Sequence, residues 1–99
     1  MNEYTPDKWV IMLIVTPELT IQKVLASWYG GYAGSDEWKV SSGITETVEN
    51  DDHYLFHNIS GSIYKCFKQS QGMSVYTAGV FEGWTKNLPE GTSITINEY

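Results

Sequence analysis

Ninety-nine residues, 41% hydrophobic and 14% aromatic, suffice for one folded domain spanning 1–99 and argue against disorder. Six lysines face twelve carboxylates, for a formal charge of −6, and no arginine is present. Lysine cannot copy the two-bond fork with which arginine grips phosphates and guanine edges, so binding to a nucleic-acid backbone is not expected.

Residues 9–15 are apolar without a break. Strand side chains alternate, so this run needs cover on both faces and reads as a central strand ended by Pro17. Residues 20–29 continue in strand fashion, with Val24, Ala26 and Trp28 on one face and Ile21 and Leu25 on the other. Gly30, Gly31 and Gly34 then break the pattern in a loop. Trp38, Val40, Ile44 and Val48 are expected to share one face of a half-buried strand, with Gly43 as a bulge. Asn50, Asp51 and Asp52 mark a turn. Residues 54–59 and 62–68 read as two strands separated near Ser60 and Gly61, or as one long strand with a bulge there.

The period then changes. Met73, Tyr76, Thr77, Val80, Phe81 and Trp84 fall at helical spacing, with Ser70 or Ser74 as N-cap. Gly79 and Gly83, four apart, are expected to admit another backbone closely. A strand reading of this segment survives on those glycines. Leu88 to Gly91 has the form of a type I turn, and residues 92–97 form a last strand with Ile94 and Ile96 inward. The fold class is α+β: a mostly antiparallel, strongly curved sheet of about five to six strands with one helix, about residues 73–85, packed on it. One helix covers one sheet face. The second face of residues 9–15 then needs either a sheet that curls on itself or a second copy in a homodimer.

Cys66 is the only cysteine, so no internal disulfide forms. No basic segment with a following apolar stretch marks an export signal, and the longest apolar run is far short of the ~20 residues of a membrane span. A cytoplasmic protein without membrane contact is expected.

The stretches Tyr4-Thr5-Pro6-Asp7-Lys8-Trp9, Lys23-Val24-Leu25-Ala26-Ser27-Trp28-Tyr29-Gly30-Gly31-Tyr32, Ser42-Gly43-Ile44-Thr45 and Ser60-Gly61-Ser62-Ile63-Tyr64-Lys65-Cys66 resemble small uncharacterised proteins of tailed phages, especially marine ones. The likeness covers roughly residues 4 to 84. It implies a cytoplasmic protein of an infected bacterium or a minor virion part. That family has no assigned activity, so the resemblance carries over no catalytic residue.

Trp28, Tyr29, Tyr32 and Trp38 flank the glycine loop, which suits recognition of a planar ligand or a protein. The loop lacks the residue order of a phosphate-binding glycine loop. His57 is the nearest base in sequence to Cys66, but Tyr64 and Phe67 make that thiol an apolar filler rather than a nucleophile. His53 and His57 lie four apart in a strand, roughly 13 Å, too far to share a metal. Glu46, Glu49, Asp51 and Asp52 crowd one strand end, either as a solvated turn or as an acidic patch for a basic partner. No catalytic residue, metal site or cofactor is assigned. The reading is a non-catalytic interaction protein that binds a host or phage protein. The alternative is a small-molecule binder or minor enzyme using residues 28–38 together with His57 or Cys66.

Overall fold

The computed structural model describes residues 2–30 and 37–99. The described elements are β1 (Glu3–Tyr4), β2 (Lys8–Val15), β3 (Thr20–Trp28), β4 (Glu37–Val40), β5 (Ile44–Glu49), β6 (His53–Asn58), β7 (Ile63–Phe67), α1 (Val75–Thr85) and β8 (Ser93–Asn97). A 3-10 turn, Lys68–Ser70, leads from β7 toward the helix.

The strands form two four-stranded sheets. The inner sheet has the order β4-β3-β2-β8 and the outer sheet β1-β7-β6-β5. Pairing is antiparallel throughout, apart from the short parallel pair of β1 with β7. The inner sheet lies between the outer sheet and α1. Alternation along β2 explains why. Trp9 and Ile11, with Val24 and Ala26 of β3, face Phe56, Tyr64 and Cys66 of the outer sheet. Val10 and Met12, with Leu25, face Met73, Phe81 and Trp84, and Ile94 and Ile96 of β8 join them. Both faces of the apolar run are thus covered within one chain, and Trp9, Val10, Ile11 and Met12 are all buried. At roughly 25 cal/mol per Å² of apolar surface removed from water, this two-sided burial is the main stabilising contribution.

The helix begins at Ser74, whose hydroxyl accepts from the Thr77 N–H. That bond satisfies one of the donors a helix N-terminus leaves unpaired. Thr77, Phe81 and Trp84 mark the docked side.

The expected single, strongly curved sheet is corrected to two stacked sheets, neither closed nor strongly curled. The reason lies at Gly43. The expected continuous strand from Trp38 to Val48 is two strands on different sheets, β4 and β5, joined through Ser41, Ser42 and Gly43. Pattern alone does not show that the chain changes layer there. The register of β5 against β6 does shift, between Ile44 and Glu46 rather than at Gly43. The uncovered β2 face on which the homodimer alternative rested is therefore absent, since one face is covered by α1 and the other by the outer sheet.

Smaller corrections follow. Tyr76 is 48% exposed rather than part of the docked stripe. Gly79 and Gly83 have nothing within 4 Å of where a Cβ would sit, so they admit no neighbouring backbone. The turn before β8 closes from the Thr92 N–H to the Pro89 carbonyl. Gly91 is therefore its third residue, with φ +83°, the geometry of a type II turn rather than type I.

Candidate functional site

Three connections meet at one end of the two sheets. The Ser41–Ser42 link leaves the inner sheet. The Ser60–Gly61–Ser62 hairpin joins β6 to β7. Asn2 and Tyr4 run alongside β7. Together with Lys23, Lys39, Val40 and Tyr64 they line a cleft of about 740 Å³.

Local hydrogen bonds fix its walls. Ser41 is buried, and its Oγ accepts from the Val24 N–H at 2.8 Å. The Ser60 N–H donates to Ser42 Oγ at 3.1 Å, tying hairpin to link. The Ser60 and Ser62 hydroxyls lie 3.2 Å apart. Beneath them the Asn58 amide donates to the carbonyls of Phe56 and Ser62, at 3.1 Å each. Gly61 takes φ +90°, where a side chain would be strained, and its N–H donates to the Asn58 carbonyl at 2.9 Å.

The chemistry of the lining is one-sided. Two of the six lysines contribute, Lys23 and Lys39, and no carboxylate among the described residues does. Among the described residues neither lysine is ion-paired; the pairs present are Lys68 with Glu49 and His53 with Asp52. Lys39 Nζ sits 5.1 Å from the Tyr4 ring centroid, a cation–π contact that leaves its charge uncompensated. Tyr64 is 1% exposed, its ring 5.0 Å from that of Tyr4. Its hydroxyl has no hydrogen-bond partner among the described residues. Burial pushes its pKa up to about 12, so the phenol keeps its proton and can donate.

Comparison with protein-family models, curated proteins and solved structures finds no match to this chain. The site therefore stands on its geometry.

The described aromatic residues singled out in the sequence do not converge on one site. Trp28 turns toward the outer sheet, edge-on to Tyr4 at 6.3 Å, and its Nε1 donates to the Thr5 carbonyl at 3.0 Å. Trp38 packs instead against Trp84 of the helix, ring centroids 5.3 Å apart, on the opposite face of the inner sheet. Tyr29 is half exposed, its N–H donating to Asp7 Oδ2 at 2.8 Å. Tyr32 lies outside the described residues. A hollow of about 510 Å³ touches both Trp28 and Trp38, but these indoles serve mainly as packing.

His57 pairs with Glu46 and Ile63 on the outward face of the outer sheet, away from the cleft and from Cys66. Cys66 is fully buried, and burial alone pushes its thiol pKa far up, which makes it an inert filler. Of the acidic residues, Glu49, Asp51 and Asp52 come together in lining a hollow of about 700 Å³ with His53 and Lys68, while Glu46 falls on the opposite face of β5 from Glu49. Glu49 holds Lys68 at 2.6 Å, and Asp52 holds His53 Nδ1 at 2.6 Å. The hydrogen bond from His53 draws the Asp52 carboxyl below its usual range, while the Glu49 bond raises Lys68. No group of three or more His, Cys, Asp or Glu among the described residues could hold a metal ion. No helix among them is long and apolar enough to cross a membrane.

Lys23, Lys39, Ser42, Ser60, Ser62 and Tyr64 were not singled out by sequence. The turn signals at Gly43 and Gly61 were visible, but nothing local says that two distant turns meet.

Proposed function

We propose that the protein is a non-catalytic binding module that takes a small anionic ligand in the cleft between its sheets. One observation carries this reading: a cleft of about 740 Å³ draws two lysines and no carboxylate among the described residues of a chain with twice as many acids as bases. Charges of one sign at a low-dielectric wall focus the field and concentrate counter-ions there. The absence of chemistry at the site supports the non-catalytic part. Among the described residues no cleft serine is hydrogen-bonded to a lysine amine or a histidine, so no hydroxyl is activated as a nucleophile. A two-dimensional NMR titration with phosphate, sulfate and acetate tests the proposal. Resonances around Lys23, Lys39 and Ser60 to Ser62 should move together, and Lys39→Met should weaken the effect. Uniform or absent shifts would refute it.

A second reading keeps the protein-interaction role, with a second copy of this chain as partner. It is favoured by the outward face of the outer sheet. Val48 is exposed there beside half-buried Leu55, Ile63 and Phe67. The same face carries Glu46 and Lys65, opposite charges that a two-fold pairing can bring together. Light scattering over a dilution series checks it: Leu55→Lys should convert a dimer to a monomer, and a parent that is monomeric at tens of micromolar ends the idea.

A further inference from the structure

We propose that the anion taken by the cleft is a phosphate monoester in its dianionic form, and that Tyr64 donates a hydrogen bond to it; this rests on the anion-binding reading above. Three features narrow the class. The first is charge number. Lys39, on the face turned toward the outer sheet, and Lys23, opposite Met12 beside the edge of the inner sheet, both border the cleft with no described carboxylate in its lining, and a monoester above its second pKa, near 6, brings nearly two negative charges to meet them. A carboxylate or sulfate ester brings one and leaves a lysine uncompensated.

The second is the donor set. Three terminal phosphate oxygens need several donors, and the lining holds two ammonium groups, the hydroxyls of Ser42, Ser60 and Ser62, and the Tyr64 phenol. The Ser60 and Ser62 hydroxyls, 3.2 Å apart, can hydrogen-bond only once to each other, which leaves one proton free to donate outward. Lysine serves phosphate as a point charge, so the absence of arginine does not count against such a site.

The third feature is Tyr64 itself. The Tyr64 ring is buried, while its hydroxyl, with no hydrogen-bond partner among the described residues, opens at the wall of the cleft, where only water or a ligand can meet it. A ligand oxygen there would accept its hydrogen bond. The phenol stays protonated through the neutral range, so it donates to an anion rather than repelling it. Tyr4 and Val40 add apolar wall on which the organic part of an ester can rest.

The test compares phenyl phosphate, phenyl sulfate and benzoate at pH 8, by NMR titration and calorimetry, on the full chain. Phenyl phosphate is expected to bind at least tenfold more tightly than phenyl sulfate and to move the resonances of Ser42, Ser60 to Ser62 and Tyr64. Tyr64→Phe removes a hydroxyl that no protein group uses, so the fold should persist and phosphate affinity should drop several-fold. Lys39→Met should bring phenyl phosphate down toward phenyl sulfate. Lys86→Met, the same charge change at the end of α1, should leave both unchanged. Equal binding of phenyl sulfate or benzoate in the cleft, or unaltered phosphate affinity in Tyr64→Phe, overturns the phosphate proposal and leaves the anion site standing. No perturbation by any of the three probes, or an equal loss in Lys86→Met, overturns both.

Discussion

The indole N–H of Trp9 donates to the main-chain carbonyl of Phe67 at 2.7 Å, across the gap between the two sheets. Trp9 is fully buried, and its ring also meets Phe56 at 5.6 Å and Tyr54 at 6.0 Å. One side chain from the middle of the inner sheet thus fastens the last strand turn of the outer sheet and fills the space beneath it.

Trp9 is the residue whose loss should harm the fold most. Trp9→Ala is expected to cost about 3–5 kcal/mol, from lost packing and an unfilled cavity. Trp9→Phe keeps most of the ring but leaves the Phe67 carbonyl unpaired, at about 1–3 kcal/mol. Urea denaturation measures both, and a Trp9→Phe variant as stable as the parent would show that the hydrogen bond contributes nothing.

Trp84 should matter less than a fully buried tryptophan. It is half-buried, and its partner Trp38 is 38% exposed. The Trp38–Trp84 edge contact should appear in a double-mutant cycle as a coupling of about 0.5–1.5 kcal/mol. Tyr76→Ala, on the exposed side of the same helix, should change stability by within about 0.5 kcal/mol. If Tyr76→Ala costs more than Trp84→Ala, the helix docks by another face.

The glycines divide into two kinds, with opposite expected signs. Gly79 and Gly83 lie inside α1 with open space around them, so replacement by Ala should stabilise by about 0.5–1 kcal/mol each. Gly61 also has open space, but its φ of +90° should make Gly61→Ala destabilising by about 1–2 kcal/mol. Thermal melts of the three variants give the signs directly.

Alkaline pH should unfold the protein through the outer sheet. Tyr64 has its pKa raised by burial to about 12, against the ordinary 10 of the unfolded chain. Its contribution is whole below pH 10. Above that the unfolded state loses its proton first, so stability falls with rising pH through about 12. Cys66, raised by burial as well, acts in the same direction. Tyr64→Phe should flatten this fall, measured as urea midpoints between pH 8 and 11; an unchanged slope would mean that Tyr64 titrates normally.

Sequence by itself determined the local elements. The two-faced apolar run at residues 9–15, the split of Val24 and Ala26 from Leu25, the helix at Trp84 and the inward Ile94 and Ile96 all follow from side-chain period, which is a property of neighbouring residues. It also determined that both faces of the central strand need cover. What supplies that cover was decided only by tertiary structure, because a strand's alternation fixes which side a residue faces and not what it faces. Gly43 carries no local mark that distinguishes a bulge within one sheet from a passage between two. Trp28 and Trp38 look like one aromatic cluster in the chain, yet odd and even positions across the β3–β4 pairing send them to opposite faces. The cleft is the extreme case: Lys23, Lys39, Ser60 to Ser62 and Tyr64 are unremarkable in sequence, and their shared charge and donor pattern exists only where the ends of two sheets meet.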